Sequence, residues 1–213
     1  KAVWDPAVHF YEIRDADGTL LSSFYTDFYP RENKRPGAWM NPIRNGGPDG
    51  KTFRPHLGMI CGNVTPPVDG KPALLTHREV ETVFHEFGHL LHLSLSRASV
   101  KSLAGTQVAW DFVELPSQIM ENFTWERPVV DLFAKHYQTG DRLPEDIFSK
   151  MMKAKNFRSA NQMMTQLGFG ITDIQLHSDY QGNDAQGSVD TYARKIAQQY
   201  SPVKLADDYS RIA

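Results

Sequence analysis

The sequence predicts a mainly α-helical chain with a small β-sheet, an α+β arrangement. Two observations carry that expectation. Residues 1–75 are rich in aromatic and β-branched runs broken by turn residues, and from Thr76 onward apolar residues recur with helical period. A length of 213 residues suits one sizeable domain or two small ones.

The elements follow in order. "AVHFYEI" and "TLLSSFYTDFY" read as strands, and "RDADG" between them has hairpin turn chemistry. Residues 30–51, "PRENKRPGAWMNPIRNGGPDGK", read as a long loop because of their Gly, Pro and Asn content. "HLGMICGNV" reads as a further strand, followed by the loop "TPPVDGKP". Thr76 with Glu79 forms a capping box, so a helix starts there. Its core stripe is Val80, Val83, Phe84, Phe87 and Leu91. A second helix is expected over about Val108 to Trp125, with Pro116 kinking or delimiting it. A third runs from Pro128 to Gln138, stopped by Gly140, and a fourth from Pro144 to Lys155. Ser159 is the expected N-cap of a long fifth helix whose core stripe is Ala160, Met163, Met164, Leu167, Ile171 and Ile174. The sixth spans Ser188 to Tyr200.

Composition narrows the function classes. A net charge of −2 without runs of one sign argues against nucleic acid or an anionic membrane as partner. No stretch approaches the ~20 apolar residues of a membrane span. Cys61 is the only cysteine, which excludes an internal disulfide and a zinc–thiolate cluster and points to a reducing, cytoplasmic setting. The first residues contain no apolar signal segment and no initiator Met, so the chain reads as a piece of something longer.

The chemistry lies in "ETVFHEFGHLLHLSLSR". His85 and His89 are four residues apart, a rise of ~6 Å, so both rings can converge on one ion. Glu86 sits beside them, offset around the helix, and can reach a metal-bound water. This is the H-E-x-x-H arrangement of zincin metallopeptidases. Gly88 inside the helix costs ~1 kcal/mol relative to Ala, which implies close packing there. His92 is seven residues from His85, roughly 10 Å along the axis, too far to share the ion. The extended metzincin pattern is absent, since its Gly is missing and Leu95 stands where its third His belongs. His92 therefore reads as a supporting or packing residue. The third ligand is sought in "WDFVELPSQIMENF", where Asp111, Glu114 and Glu121 share one face; spacing alone does not choose among them. Asp173 and His177 on the fifth helix read as a helix-face hydrogen bond in preference to a second metal site. His9, His56, His77 and His136 have no partners that the sequence identifies.

"FHEFGHLLH" followed by "DFVELPSQIMEN" resembles the thimet oligopeptidase family of zinc peptidases, family M3. The likeness extends through "FYPRENKRPGAWM", "HYQTGDRLPEDIFSKMMKAKNF" and "QLGFGITDIQLH". It implies a single zinc ion on His85, His89 and Glu114, with Glu86 as general base. Asp111 and Glu121 then become supporting candidates. It further implies short peptide substrates that pair with a strand edge, provided by "GAWM" around Ala38 and Trp39 or by "CGNV" around Asn63. Family members continue past the region matching "DDYSRIA" into a Gly/Tyr-rich segment carrying a His and a Tyr for the oxyanion. The expectation is thus the metal-binding catalytic core, 1–213, of a longer enzyme, weak or inactive without the remainder. The competing expectation is a non-catalytic, zinc-stabilised domain that binds peptides or partners.

Overall fold

The computed structural model describes residues 3–209, so the last four residues of "DDYSRIA" lie outside the described part. Strands and helices both occur, with helices predominant. The chain divides into two compact units, Lys1–Leu143 and Pro144–Ala213. The change from strand to helix near residue 76 falls inside the first unit.

The first unit holds strands β1 (His9–Arg14), β2 (Leu20–Asp27), β3 (Trp39–Arg44), β4 (Gly47–Asp49), β5 (Thr52–Arg54) and β6 (His56–Cys61). Helices α1 (His77–Ser94), α2 (Trp110–Val113), α3 (Leu115–Phe123) and α4 (Arg127–Phe133) follow. The main sheet has the order β1-β2-β6-β3. β1 and β2 form the expected hairpin, with Gly18 in the left-handed region at φ 86°. β6 runs parallel to β2 and antiparallel to β3. β4 and β5 form a separate two-stranded ribbon.

The long loop expected at 30–51 is only partly a loop, because it contains β3 and β4. Pro42 and the flanking glycines disguise β3. An edge strand tolerates a proline, since the N–H that proline lacks is not needed on the open side. The register slips between Pro42 and Arg44.

α1 starts as the capping box requires. Thr76 Oγ1 accepts from the Glu79 N–H, and Glu79 Oε2 accepts from the Thr76 N–H at 2.7 Å. The N–H groups of Thr76 and Thr65 pull the Glu79 carboxyl down to about 2. The helix is covered on two sides. Leu90 packs with Phe24 and Ile60 of the sheet, joined by Ile13, Phe28, Met40 and Phe87. Gly58 allows this approach, because a Cβ there would lie 2.6 Å from Leu90 Cδ1. α3 lies against another side. The expected stripe of Val80, Val83, Phe84, Phe87 and Leu91 is consequently only half-buried, whereas Glu86, Gly88, Leu90 and Leu93 are buried. A one-faced periodicity reading misplaces the core of a helix that is packed from two directions.

Two histidines without identified partners prove to be joints. His56 is fully buried; its Nδ1 accepts from the Gly46 N–H and its Nε2 donates to Ser96 O, tying the sheet to the end of α1. The His77 ring lies 4.2 Å from that of Trp125 with the planes inclined at 54°, and its Nε2 is 3.1 Å from Thr124 O, tying the start of α1 to the end of α3.

The expected second helix is two helices. The break falls at Glu114, which is the C-cap of α2 and the N-cap of α3, with Pro116 in the first turn of α3. The third helix ends at Phe133, not Gln138, because the chain turns back through Gly140 to pair Lys135 with Arg142.

The second unit contains α5 (Glu145–Lys155), α6 (Ser159–Ser178) and α7 (Val189–Gln199), the last N-capped by Ser188. The N-cap of α6 is Arg158, in the left-handed region at φ 58°, in place of Ser159. Its expected core stripe is largely exposed: Met163 is 61%, Leu167 45% and Ile174 60% accessible. Gly168 and Thr172 are the buried positions of α6 instead. Periodicity marks an apolar face but does not say what covers it. His177 Nδ1 lies 2.8 Å from Asp173 O, the expected helix-face contact.

Candidate metal centre

α1 presents His85 and His89 one turn apart, with ring centroids 4.9 Å apart and planes at 83°. The break between α2 and α3 turns Glu114 toward them. Glu114 Oε2 is 3.2 Å from His85 Nε2 and 3.2 Å from His89 Nε2. Among the described residues these three form the only group of His, Cys, Asp or Glu able to hold a metal, with ligand atoms within 4.8 Å of one another.

Supporting contacts orient two of the three groups. Glu121 Oε1 lies 2.6 Å from His85 Nδ1. A carboxylate accepts, so Nδ1 carries the hydrogen, and the neutral ring presents a bare Nε2. That lone pair then faces the lone pairs of Glu114 Oε2. The contact is favourable only if a cation, either a proton or a metal ion, lies between them. Bonds of about 2.0–2.2 Å at tetrahedral angles place ligand atoms about 3.3–3.5 Å apart. The observed spacings are close to that, and an N,N,O donor set is one that zinc takes. Burial holds His89 below the ordinary imidazole value, favouring the neutral form that a metal requires.

Ser117 is a participant that sequence reasoning missed. It is fully buried, and its Oγ donates to Glu114 Oε2 at 2.7 Å. The available signal was Pro116, which marks a first turn and so places Ser117 at N3, within reach of an N-cap Glu114.

Gly88 explains how α3 comes so close. A Cβ at this position would lie 2.6 Å from both Pro116 O and Ser117 Cα. Gly88→Ala is therefore expected to lower stability by about 1–3 kcal/mol, although Ala is otherwise the better helix former by ~1 kcal/mol. Chemical denaturation checks this, and a stabilised variant would refute the packing role.

Glu86 is 7% exposed. Burial pushes its carboxyl up, Glu114 adds to the rise, and the Met40 N–H opposes it. Ala38 lines a cleft with His85, Glu86 and Glu121. A second cleft of about 750 Å³, with Met40, Val108, Trp110 and Val113 in its walls, opens on His89 and Glu114.

The remaining candidates are less central. Asp111 is exposed on α2 and outside the cluster. His92 is also outside it; its ring lies 6.1 Å from Phe112. Trp39 turns to the other face of the sheet, where it lines a recess with Trp4, Met59 and Cys61. Of the two segments considered as a peptide-binding edge, β3 is the outer strand, whereas β6, which leads into Asn63, is flanked on both sides.

Comparison with known proteins adds three relatives and a family. The family model for Peptidase family M3 matches residues 1–212. Oligopeptidase A of Escherichia coli is 44% identical over 196 residues, covering 90% of this chain and 28% of that protein. A protein of Arabidopsis thaliana named probable cytosolic oligopeptidase A is 44% identical over 191 residues, 86% of this chain and 27% of that protein. Dipeptidyl carboxypeptidase of Escherichia coli is 37% identical over 190 residues, 89% of this chain and 28% of that protein. The chain thus spans less than a third of the length of these relatives.

Proposed function

The chain belongs to peptidase family M3, and we propose that it is the zincin-like metal-binding core of a zinc peptidase hydrolysing bonds within short peptides. One observation carries the reading: two imidazole Nε2 atoms and one carboxylate oxygen converge, with Glu121 fixing the tautomer of His85. His85, His89 and Glu114 hold one zinc ion, and Glu121 and Ser117 keep two of these ligands in orientation. Zinc bound there supplies a Lewis acid that polarises the scissile carbonyl and makes water nucleophilic near neutral pH.

Glu86 does the proton work. As a carboxylate it takes a proton from the attacking water and delivers it to the leaving amine. The open edge of β3 from Ala38 onward supplies main-chain donors and acceptors for an extended peptide. Among the described residues no helix is long and apolar enough to cross a membrane. The name of one relative places it in the cytosol, and a cytoplasmic enzyme acting on peptides, without nucleic acid or membrane partners, is the reading we adopt. The 213 residues alone are expected to bind zinc and to turn peptides over weakly, the remainder of the enzyme completing the site.

Removal and return of metal test this reading. The longest natural form of the protein, stripped with a chelator, should stop cleaving a quenched fluorescent peptide and recover with one equivalent of zinc. Cleavage that survives metal removal would overturn it.

A further inference from the structure

The segment leading into the β3 edge is tied down by more contacts than a surface loop needs. Asp27, at the end of β2 and 4% exposed, accepts from Trp4 Nε1 at 3.0 Å, from both terminal nitrogens of Arg31 at 2.8 and 2.6 Å, and from Lys34 Nζ at 2.8 Å. Lys34 Nζ also donates to the carbonyls of Asp27 and Tyr29. These bonds fold residues 28–34 back over the end of the sheet. A second clamp acts on the next three residues. Asn63 Nδ2 donates to Arg35 O at 2.9 Å and to Gly37 O at 2.8 Å. Both partners are acceptors, so the NH₂ of the amide must face them and the orientation has one solution.

The position of this second clamp is what matters. Gly37 has φ 93°, a conformation that turns the chain sharply just before Ala38. Ala38 then lines the cleft with His85 and Glu86. The distance between the proposed peptide-binding edge and the general base is thus set by where Gly37 is held, and among the described residues the side chain bonded to its carbonyl is that of Asn63. We infer that Asn63 is a positioning residue: by gripping the carbonyls of Arg35 and Gly37 it sets the height of the Ala38–Met40 edge over Glu86, and hence the affinity for the substrate backbone. The inference rests on the proposed peptidase reading. Both of its amide hydrogens are committed to the loop, so Asn63 is left with no donor to offer a peptide itself.

The test uses Asn63→Ala and Asn63→Asp in the longest natural form of the protein, assayed on a quenched fluorescent peptide. Asn63→Asp keeps the shape and removes both donors. Each variant should raise KM about 10-fold or more, with kcat within about two-fold and zinc content unchanged, since each bond contributes a modest net stabilisation and only ground-state alignment is lost. KM unchanged in both variants, or Asn63→Asp matching the wild type, would overturn the inference. So would loss of zinc in both, which would make Asn63 a part of the fold alone. A wild-type protein inert toward every peptide would instead overturn the peptidase reading, and the inference with it.

Discussion

Glu86→Gln is expected to leave zinc in place and to lower peptide hydrolysis by about 10²–10⁴-fold, the usual contribution of a positioned general base. The substitution is close to isosteric and removes the negative charge and with it the capacity to accept a proton. Glu86 lies between the two proposed ligand histidines in sequence but is not one of the three convergent groups, so metal content should not change. Its environment fits the role. It is almost fully buried, and the Met40 N–H steadies its charged form. Steady-state kinetics with metal analysis on the same samples checks the prediction. Retained activity would remove Glu86 as the base, whereas lost metal would assign it to the ligand set.

Glu114→Ala is expected to weaken zinc binding by more than about 100-fold, the upper end of what loss of an outer-shell partner costs. One carboxylate oxygen faces both imidazoles at 3.2 Å, and no other acid among the described residues lies in that cluster. Its removal also leaves the Ser117 hydroxyl, fully buried, without its carboxylate partner. Competition with a chromophoric chelator reads the affinity. Unchanged binding would redirect the search to Glu121, which already touches His85 through Nδ1.

Much of this centre was legible in the sequence, and the reasons are local. The capping box at Thr76 and Glu79, the four-residue spacing of His85 and His89, and the helix-internal Gly88 each follow from short-range geometry. The axial rise alone removed His92. Positions set by long-range packing were not legible. α1 is enclosed by a sheet and a helix, so its true core residues are Leu90 and Leu93, not the stripe that periodicity selects. β3 hides behind Pro42 because its role as an edge depends on which strands neighbour it. The break at Glu114 was half-visible. Pro116 announced a boundary, but only the resulting turn separates Glu114, which reaches the histidines, from Asp111, which does not. The exposed apolar stripe of α6 shows the same limit, since a pattern gives direction without a partner.

Zinc stoichiometry of the purified chain, read by native mass spectrometry beside Glu114→Ala, tests the central claim most directly. One tightly held zinc per wild-type chain, lost or readily removed in Glu114→Ala, is the expected result. A wild-type chain that takes up no zinc, or a variant that holds it equally well, would contradict a centre built from His85, His89 and Glu114.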